Sequence, residues 1–137
     1  MSAPLGKLYH DGEYIIQQGE TGDSMYVVQS GEVEVVRRSG GREYCLAMLG
    51  ANDFFGEMAL VDRDLRAASV RAVGDATVLT LNKSSFLRQV HQDPSLAFRL
   101  IEKLSLRIRQ LNERLVNMSS SLLDEIESEY AKPDRPH

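Results

Sequence analysis

The sequence predicts a mainly β fold with added helices, of the sandwich, barrel or jelly-roll kind. Up to about Leu81, short runs rich in β-branched residues alternate with glycines, which is typical of many short strands joined by tight turns. After Asn82 the pattern becomes helical, and no glycine or proline interrupts it from Ser95 to about Glu129. The chain has 137 residues, 42% of them apolar and 26% charged, which suits one globular domain with its own core.

The β-rich part contains six candidate strands. Residues 32–35 alternate apolar and charged side chains with a period of two, as a half-buried strand does. Gly19, Gly22 and Gly31 are predicted to shape turns, and Ser39-Gly40-Gly41 is a hairpin signal. The predicted strands cover residues 14–16, 25–28, 32–36, 44–49, 68–72 and 76–81.

Two helices follow the predicted strands. The first covers about residues 84–91 and would be capped by Ser84, because a serine hydroxyl can accept from the free N–H groups of a helix start. Asp93, Pro94 and Ser95 then open a long helix, since proline suits an early helical position. We therefore expect a β-roll with short helices over 1–92, a long helix over 93–130, and a disordered tail over 131–137.

The long helix carries a heptad repeat, with apolar residues spaced alternately by four and three over more than three heptads. Isoleucine or leucine at a and mostly leucine at d favour a two-stranded parallel coiled coil. A second apolar set on the same helix leaves open that this stripe packs on the chain's own β-roll. The predicted homodimer contacts are Ala97, Ile101, Leu104, Ile108, Leu111, Leu115, Met118 and Leu122.

Two segments carry the functional prediction. The first, residues 15–31, reads IIQQGETGDSMYVVQSG, and the second reads FGEMAL, five residues, then RAASVRA over residues 55–72. Together they resemble the two signatures of the cyclic nucleotide-binding domain family, and the resemblance extends from about Leu8 to Met118. It implies a double-stranded β-helix (jelly-roll) flanked by a short N-terminal helical segment and a long C-terminal helix.

The second segment also makes chemical sense for such a ligand. A cyclic nucleotide has one anionic phosphodiester with two free oxygens, and one free ribose hydroxyl. Arg66 supplies a planar fork for both oxygens, and a helical turn at residues 56–59 can add backbone N–H groups. Glu57 can accept the 2′-OH and orient Arg66. The predicted ligand-binding residues are Phe55, Gly56, Glu57, Met58, Ala59, Arg66, Ala67 and Ala68.

The base and its identity are predicted from the resemblance. The family binds the base among strand residues under the C-terminal helix, which here indicates Val35, Leu46, Ala47, Arg107 and Asn112. Kinases of this family that bind cGMP usually carry threonine directly after the phosphate arginine, where this chain has Ala67. We therefore expect cAMP as the ligand, with cGMP as the alternative.

Other functions are disfavoured by composition. A net charge of −4 argues against electrostatic binding of nucleic acid by the whole chain. Too few residues follow Met118 in this sequence to form a helix-turn-helix DNA-binding domain. The three histidines are scattered, so we expect no metal or other cofactor, and no enzyme activity. The single cysteine, Cys45, is expected to be a small core residue in a reducing compartment, the cytoplasm, and we expect no membrane association.

Two alternatives to a stand-alone sensor remain at this point. The chain could be the N-terminal sensor part of a catabolite activator-type transcription regulator without its DNA-binding domain. It could also be a degenerate member that binds nothing and acts as a dimerisation scaffold, although the presence of Glu57 and Arg66 argues against this.

Overall fold

The structure, a computed structural model, describes residues 6–61 and 65–130. The chain divides into two compact units, one ending at Asp93 and the other beginning at Pro94. The elements, in chain order, are β1 (Lys7–Tyr9), β2 (Tyr14–Ile16), β3 (Ser24–Ser39), β4 (Arg42–Leu49), β5 (Phe54–Phe55), α1 (Met58–Val61), β6 (Ser69–Asn82), α2 (Lys83–Gln92) and α3 (Ser95–Tyr130).

The first unit is built on an antiparallel sheet. Its hydrogen-bonded order is β1, β6, β3, β4, with β2 also pairing with β6 and β5 with β3. The buried residues of the long strands form the core at irregular spacings, because bulges interrupt the pairing of β3 with β6, and the sheet confirms the predicted mainly β fold. The core cluster comprises Tyr9, Ile16, Val28, Val33, Phe55, Val70, Ala72, Ala76 and Val78.

The two long strands, β3 and β6, each continue through a glycine that the sequence pattern places between separate strands. Gly31 and Gly74 have φ of +80° and +68°. The pairing of β3 with β6 shifts register on both sides of Ser30, so Gly31 lies at a bulge. A Cβ on Gly31 would lie 2.8 Å from Cα of Ala76, too close for any other residue. The predicted strand breaks are therefore wrong, because both strands bend there without ending.

The hairpin turn predicted at residues 39–41 is confirmed. Gly40 and Gly41 have φ of +60° and +75°, and a type I′ turn needs positive φ at both central residues. Ser39 pairs directly with Arg42 across this turn. The turn therefore joins β3 to β4 without splaying them.

The predicted N-terminal helical segment is not found in the part of the chain that the structure describes. Its first element is β1, which pairs antiparallel with β6 over residues 76–78. Neither β1 nor β5 is a predicted strand. β2 is as short as β1, but its sequence, Tyr14-Ile15-Ile16, is rich in β-forming residues. Tertiary pairing, and not local pattern, gives these segments their extended conformation.

The predicted serine cap of α2 is wrong. The helix begins one residue earlier, at Lys83, and Oδ1 of Asn82 accepts from the backbone N–H of Ser85 at 2.8 Å. Asparagine caps as well as serine does, and Asn82 already ends β6, so α2 follows β6 with no residue between them.

The long helix α3 follows Pro94 as predicted. Within the described residues, no helix is both long enough and apolar enough to span a membrane. The predicted tail, residues 131–137, lies outside the described residues.

Cys45 is exposed, which contradicts its predicted place in the core. It lies on β4, which ends the strand order and has mostly exposed residues. Its Sγ lies 3.9 Å from Oε2 of Glu34. Side chains of a strand are buried only where another segment packs on that part of the sheet, so apolar neighbours in the sequence do not imply burial.

Candidate ligand-binding site

The turn that precedes α1 forms one side of the candidate site. β5 ends at Phe55, and Gly56 then adopts φ of +75°, which turns the chain into α1. The backbone N–H of Ala59 donates to Gly56 O at 3.2 Å, and that of Leu60 donates to Glu57 O at 3.1 Å. The helical turn predicted from the sequence at this point is therefore present, and it holds Glu57 half-buried.

Arg66 connects the two sequence signatures. Its Nη2 donates to the carbonyl oxygen of Ser24 at 2.7 Å, and its Nη1 donates to that of Gly56 at 3.2 Å. Ser24 belongs to the first signature and Gly56 to the second, so one half-buried guanidinium lies between them. Hydrogen bonds to a charged donor are stronger than neutral ones, so these two contacts hold the side chain in place.

The backbone at Arg66 is held as firmly as its side chain. Its N–H donates to Glu20 O at 2.7 Å, and its carbonyl accepts from the N–H of Gly19 at 2.9 Å. An isolated bridge also pairs Thr21 with Leu65. The loop over residues 19–21 is thus paired with the segment that carries Arg66, and this pairing fixes the backbone from which the guanidinium extends.

Two aromatic rings support the site from the core side. Tyr26 and Phe55 face each other on paired strands, with ring centroids 5.1 Å apart and an interplanar angle of 11°. Cζ of Arg66 lies 5.9 Å from the centre of the Tyr26 ring, within the range of a cation–π contact. Burial raises the pKa of Tyr26, and the positive charge of Arg66 partly opposes this. The phenol is therefore neutral at physiological pH.

The remaining predicted ligand-binding residues differ in accessibility. Phe55 and Ala59 are buried. Met58 and Ala67 are exposed and Ala68 is half-buried. Their positions around Gly56 and Arg66 follow from the short α1 turn and the start of β6.

The residues predicted for the base pocket fall into three groups. Val35 and Ala47 pair directly across β3 and β4 and are both half-buried. Leu46 lies where the β3–β4 register shifts and is 43% exposed, so the alternation of the strand does not place it on the same face. Arg107 and Asn112 belong to α3, in the second unit, and their contact with a base stays a prediction.

Two sets of contacts involve groups outside the predicted site residues. The first involves the carbonyl of Ser24, and a backbone acceptor leaves no mark in the residue type. The second is a cluster around Arg71, whose Nε donates to Glu34 Oε1 at 2.5 Å and whose Nη2 donates to Glu43 Oε1 at 2.6 Å. These carboxylates raise the pKa of Arg71 above its ordinary value. The charge of Arg71 within the second signature is the sequence feature from which this cluster could have been predicted.

Across the described residues, no group of three or more acidic, histidine or cysteine side chains could hold a metal ion.

Comparisons with known proteins identify the family of the chain. The family model for the cyclic nucleotide-binding domain matches residues 7–93. The cyclic AMP receptor protein of Thermus thermophilus is 38% identical over 110 residues, which are 80% of this chain and 51% of that protein. A cGMP-dependent protein kinase of Plasmodium berghei is 39% identical over 119 residues, 86% of this chain and 13% of the kinase.

The fold comparison gives the same family. The crystal structure of Thermus thermophilus catabolite activator protein matches with a TM-score of 0.72 at 38% identity, covering 82% of this chain and 54% of that one. The chain thus spans about half the length of these receptor proteins. The match confirms the predicted jelly-roll with a long C-terminal helix. From its two signatures, its fold and these matches, the chain belongs to the cyclic nucleotide-binding domain family.

Proposed function

We propose that this chain is a non-catalytic sensor module that binds a cyclic nucleotide, with cAMP preferred over cGMP. Arg66 pairs with the cyclic phosphate and Glu57 accepts the ribose 2′-OH. The observation that carries the proposal is the anchoring of Arg66 on the carbonyls of Ser24 and Gly56, the residue directly before Glu57. The family match supports the same ligand class.

The anchored guanidinium is well suited to a phosphodiester. A guanidinium carries five N–H donors, and the two anchoring bonds engage Nη1 and Nη2 with one hydrogen each. Bidentate pairing with both free phosphate oxygens is therefore compatible with the anchors. Because the anchors already fix the side chain, little conformational entropy is lost when the ligand binds.

The preference for cAMP rests on Ala67. This residue is exposed at the start of the segment that follows Arg66, and it has no hydroxyl to offer a guanine. The relatives include both a cyclic AMP receptor protein and a cGMP-dependent kinase at similar identity, so overall similarity does not decide between the two nucleotides. The side chain at position 67 is the specific difference on which the proposal depends.

We propose that ligand occupancy is transmitted through α3 in a homodimer. Six of the eight predicted a and d side chains are more than half exposed in the single chain, while Ala97 and Leu104 are half-buried, and a second α3 would bury the exposed ones. A stripe of this size is costly to leave in water. The exposed members are Ile101, Ile108, Leu111, Leu115, Met118 and Leu122. Since the chain spans about half of its receptor relatives, a sensor part of a longer transcription regulator is the second candidate.

Calorimetric titration of cAMP and cGMP tests the ligand assignment. We expect micromolar or tighter binding of cAMP, weaker binding of cGMP, and a loss of about 30-fold or more in Arg66→Ala, since truncating one side of a desolvated charge pair costs about 2–5 kcal/mol. Arg42→Ala, an exposed arginine in the β3–β4 hairpin, is the matched control.

Two results would contradict the proposal. Unchanged cAMP affinity in Arg66→Ala would mean that the phosphate contact is wrong. If the wild-type protein, shown by circular dichroism to be folded, bound neither nucleotide at millimolar concentration, the scaffold alternative would replace the sensor.

A further inference from the structure

Gly22 lies directly against the guanidinium of Arg66. A Cβ built on Gly22 would be 2.5 Å from Nε and 2.6 Å from Cζ of Arg66, and closer still to Nη2. All three of its nearest neighbours are guanidinium atoms, so the space that a side chain at position 22 would fill is already taken by the head group of Arg66.

The backbone does not explain why this position is glycine. Gly19 and Gly56 have φ of +89° and +75°, which favour glycine whatever surrounds them. Gly22 is not among the residues with positive φ and lies outside any turn, which corrects its predicted role. An L-residue could adopt this backbone conformation, and the obstacle is the side chain of Arg66.

An alanine at position 22 would therefore act on Arg66 and not on the fold. Ordinary contact with a Cβ begins at 3.4 Å, so the guanidinium would have to move by about 1 Å. The hydrogen bond from Nη2 to Ser24 O is 2.7 Å long, and lengthening it by about 1 Å would take it outside hydrogen-bond range. Because Arg66 is a flexible side chain, it can give way while the backbone stays in place.

We propose that Gly22 is a positioning residue for the ligand. Its missing side chain leaves the room in which the guanidinium of Arg66 is held at the angle that a cyclic phosphate requires. This inference rests on the proposed role of Arg66 as the phosphate contact. The backbone conformation at position 22 would permit other residues, and the proposal explains why the residue there is glycine.

A double-mutant cycle measures this coupling. We expect Gly22→Ala to weaken cAMP binding by roughly tenfold or more, which corresponds to the loss of one charge-assisted hydrogen bond. In the Arg66→Ala background, the same change at Gly22 should cause no further loss. Gly50→Ala is the matched control, because Gly50 also lacks a positive φ and a Cβ there would meet nothing within 4 Å.

A second readout reports on the free protein. The NMR resonance of the Arg66 Nε–H group should shift in Gly22→Ala and stay in place in Gly50→Ala, while both variants keep thermal unfolding midpoints near that of the wild type. If Gly22 had only a structural role, Gly22→Ala would lower the thermal unfolding midpoint, and the losses of cAMP affinity in the two single variants would add in the double variant. If Arg66→Ala binds too weakly for titration, Arg66→Lys serves as the background, since lysine lacks the planar head group.

The outcomes separate the two proposals. If Gly22→Ala binds cAMP within about twofold of the wild type, or if its loss persists in full without the arginine, the role of Gly22 is refuted. If Arg66→Ala itself retains full affinity, the phosphate assignment fails first. Loss in Arg66→Ala without loss in Gly22→Ala would leave the proposed function standing and overturn only this inference.

Discussion

Replacing Leu111 with aspartate should dissociate the proposed homodimer. Leu111 occupies a d position of α3 and is 55% exposed in the single chain. Burying a leucine completely stabilises by about 1.5–3 kcal/mol, so covering the exposed half contributes about 1–1.5 kcal/mol. Two copies lose this contribution in the variant, which amounts to about 2–3 kcal/mol and raises the dissociation constant by at least about 30-fold. Two aspartates facing each other across the seam would add to this loss.

Sedimentation equilibrium over a range of concentrations gives the dissociation constant directly. Gln110→Asp is the matched control, since it places the same charge one residue away on an exposed position of α3 outside the a and d stripe. It should leave the dimer intact. Equal dissociation constants for the two variants would refute the assigned seam, and a monomeric wild type at high concentration would refute the dimer itself.

Two further predictions concern the nucleotide preference and the stability of the sheet. Ala67→Thr should raise cGMP affinity about fivefold, the effect of one added hydrogen bond, whereas Ala67→Val, which lacks the hydroxyl, should not; equal affinities in titrations of the two variants would contradict the role of this position. Arg71→Met should lower the free energy of unfolding by about 1–2 kcal/mol in urea titrations, because the carboxylates of Glu34 and Glu43 lose their shared cation in a partly solvated setting. A stability equal to that of an Arg42→Met control would show that the cluster contributes nothing.

The strands were predictable where side chains alternate or a turn needs glycine, as at Gly40 and Gly41. The prediction failed where glycine lies inside a strand. The same residue type ends a strand or makes a bulge depending on how the partner strand pairs, and Gly31 passes the carbonyl of Asp75 closely because β6 lies there. Sequence alone carries no information on that distance.

The burial of single residues was harder to predict than the fold. Cys45 lies in β4, whose residues are mostly exposed, although its neighbours Tyr44 and Leu46 are apolar. The short strands β1 and β5 were not predicted, and their extended conformation comes with pairing to β6 and β3. In each case the deciding factor is which distant segment covers or pairs with the residue.

The sequence by itself determined the family, through two signatures of which the second holds both Glu57 and Arg66, and the apolar repeat of α3. Both depend only on which side chains follow one another, so they can be recognised without the folded structure. Only the tertiary structure decided how Arg66 is held, through the carbonyls of Ser24 and Gly56 and the space left by Gly22. Every residue carries a backbone carbonyl, and a glycine leaves space wherever it occurs, so which carbonyls and which space meet Arg66 is fixed only when the chain folds.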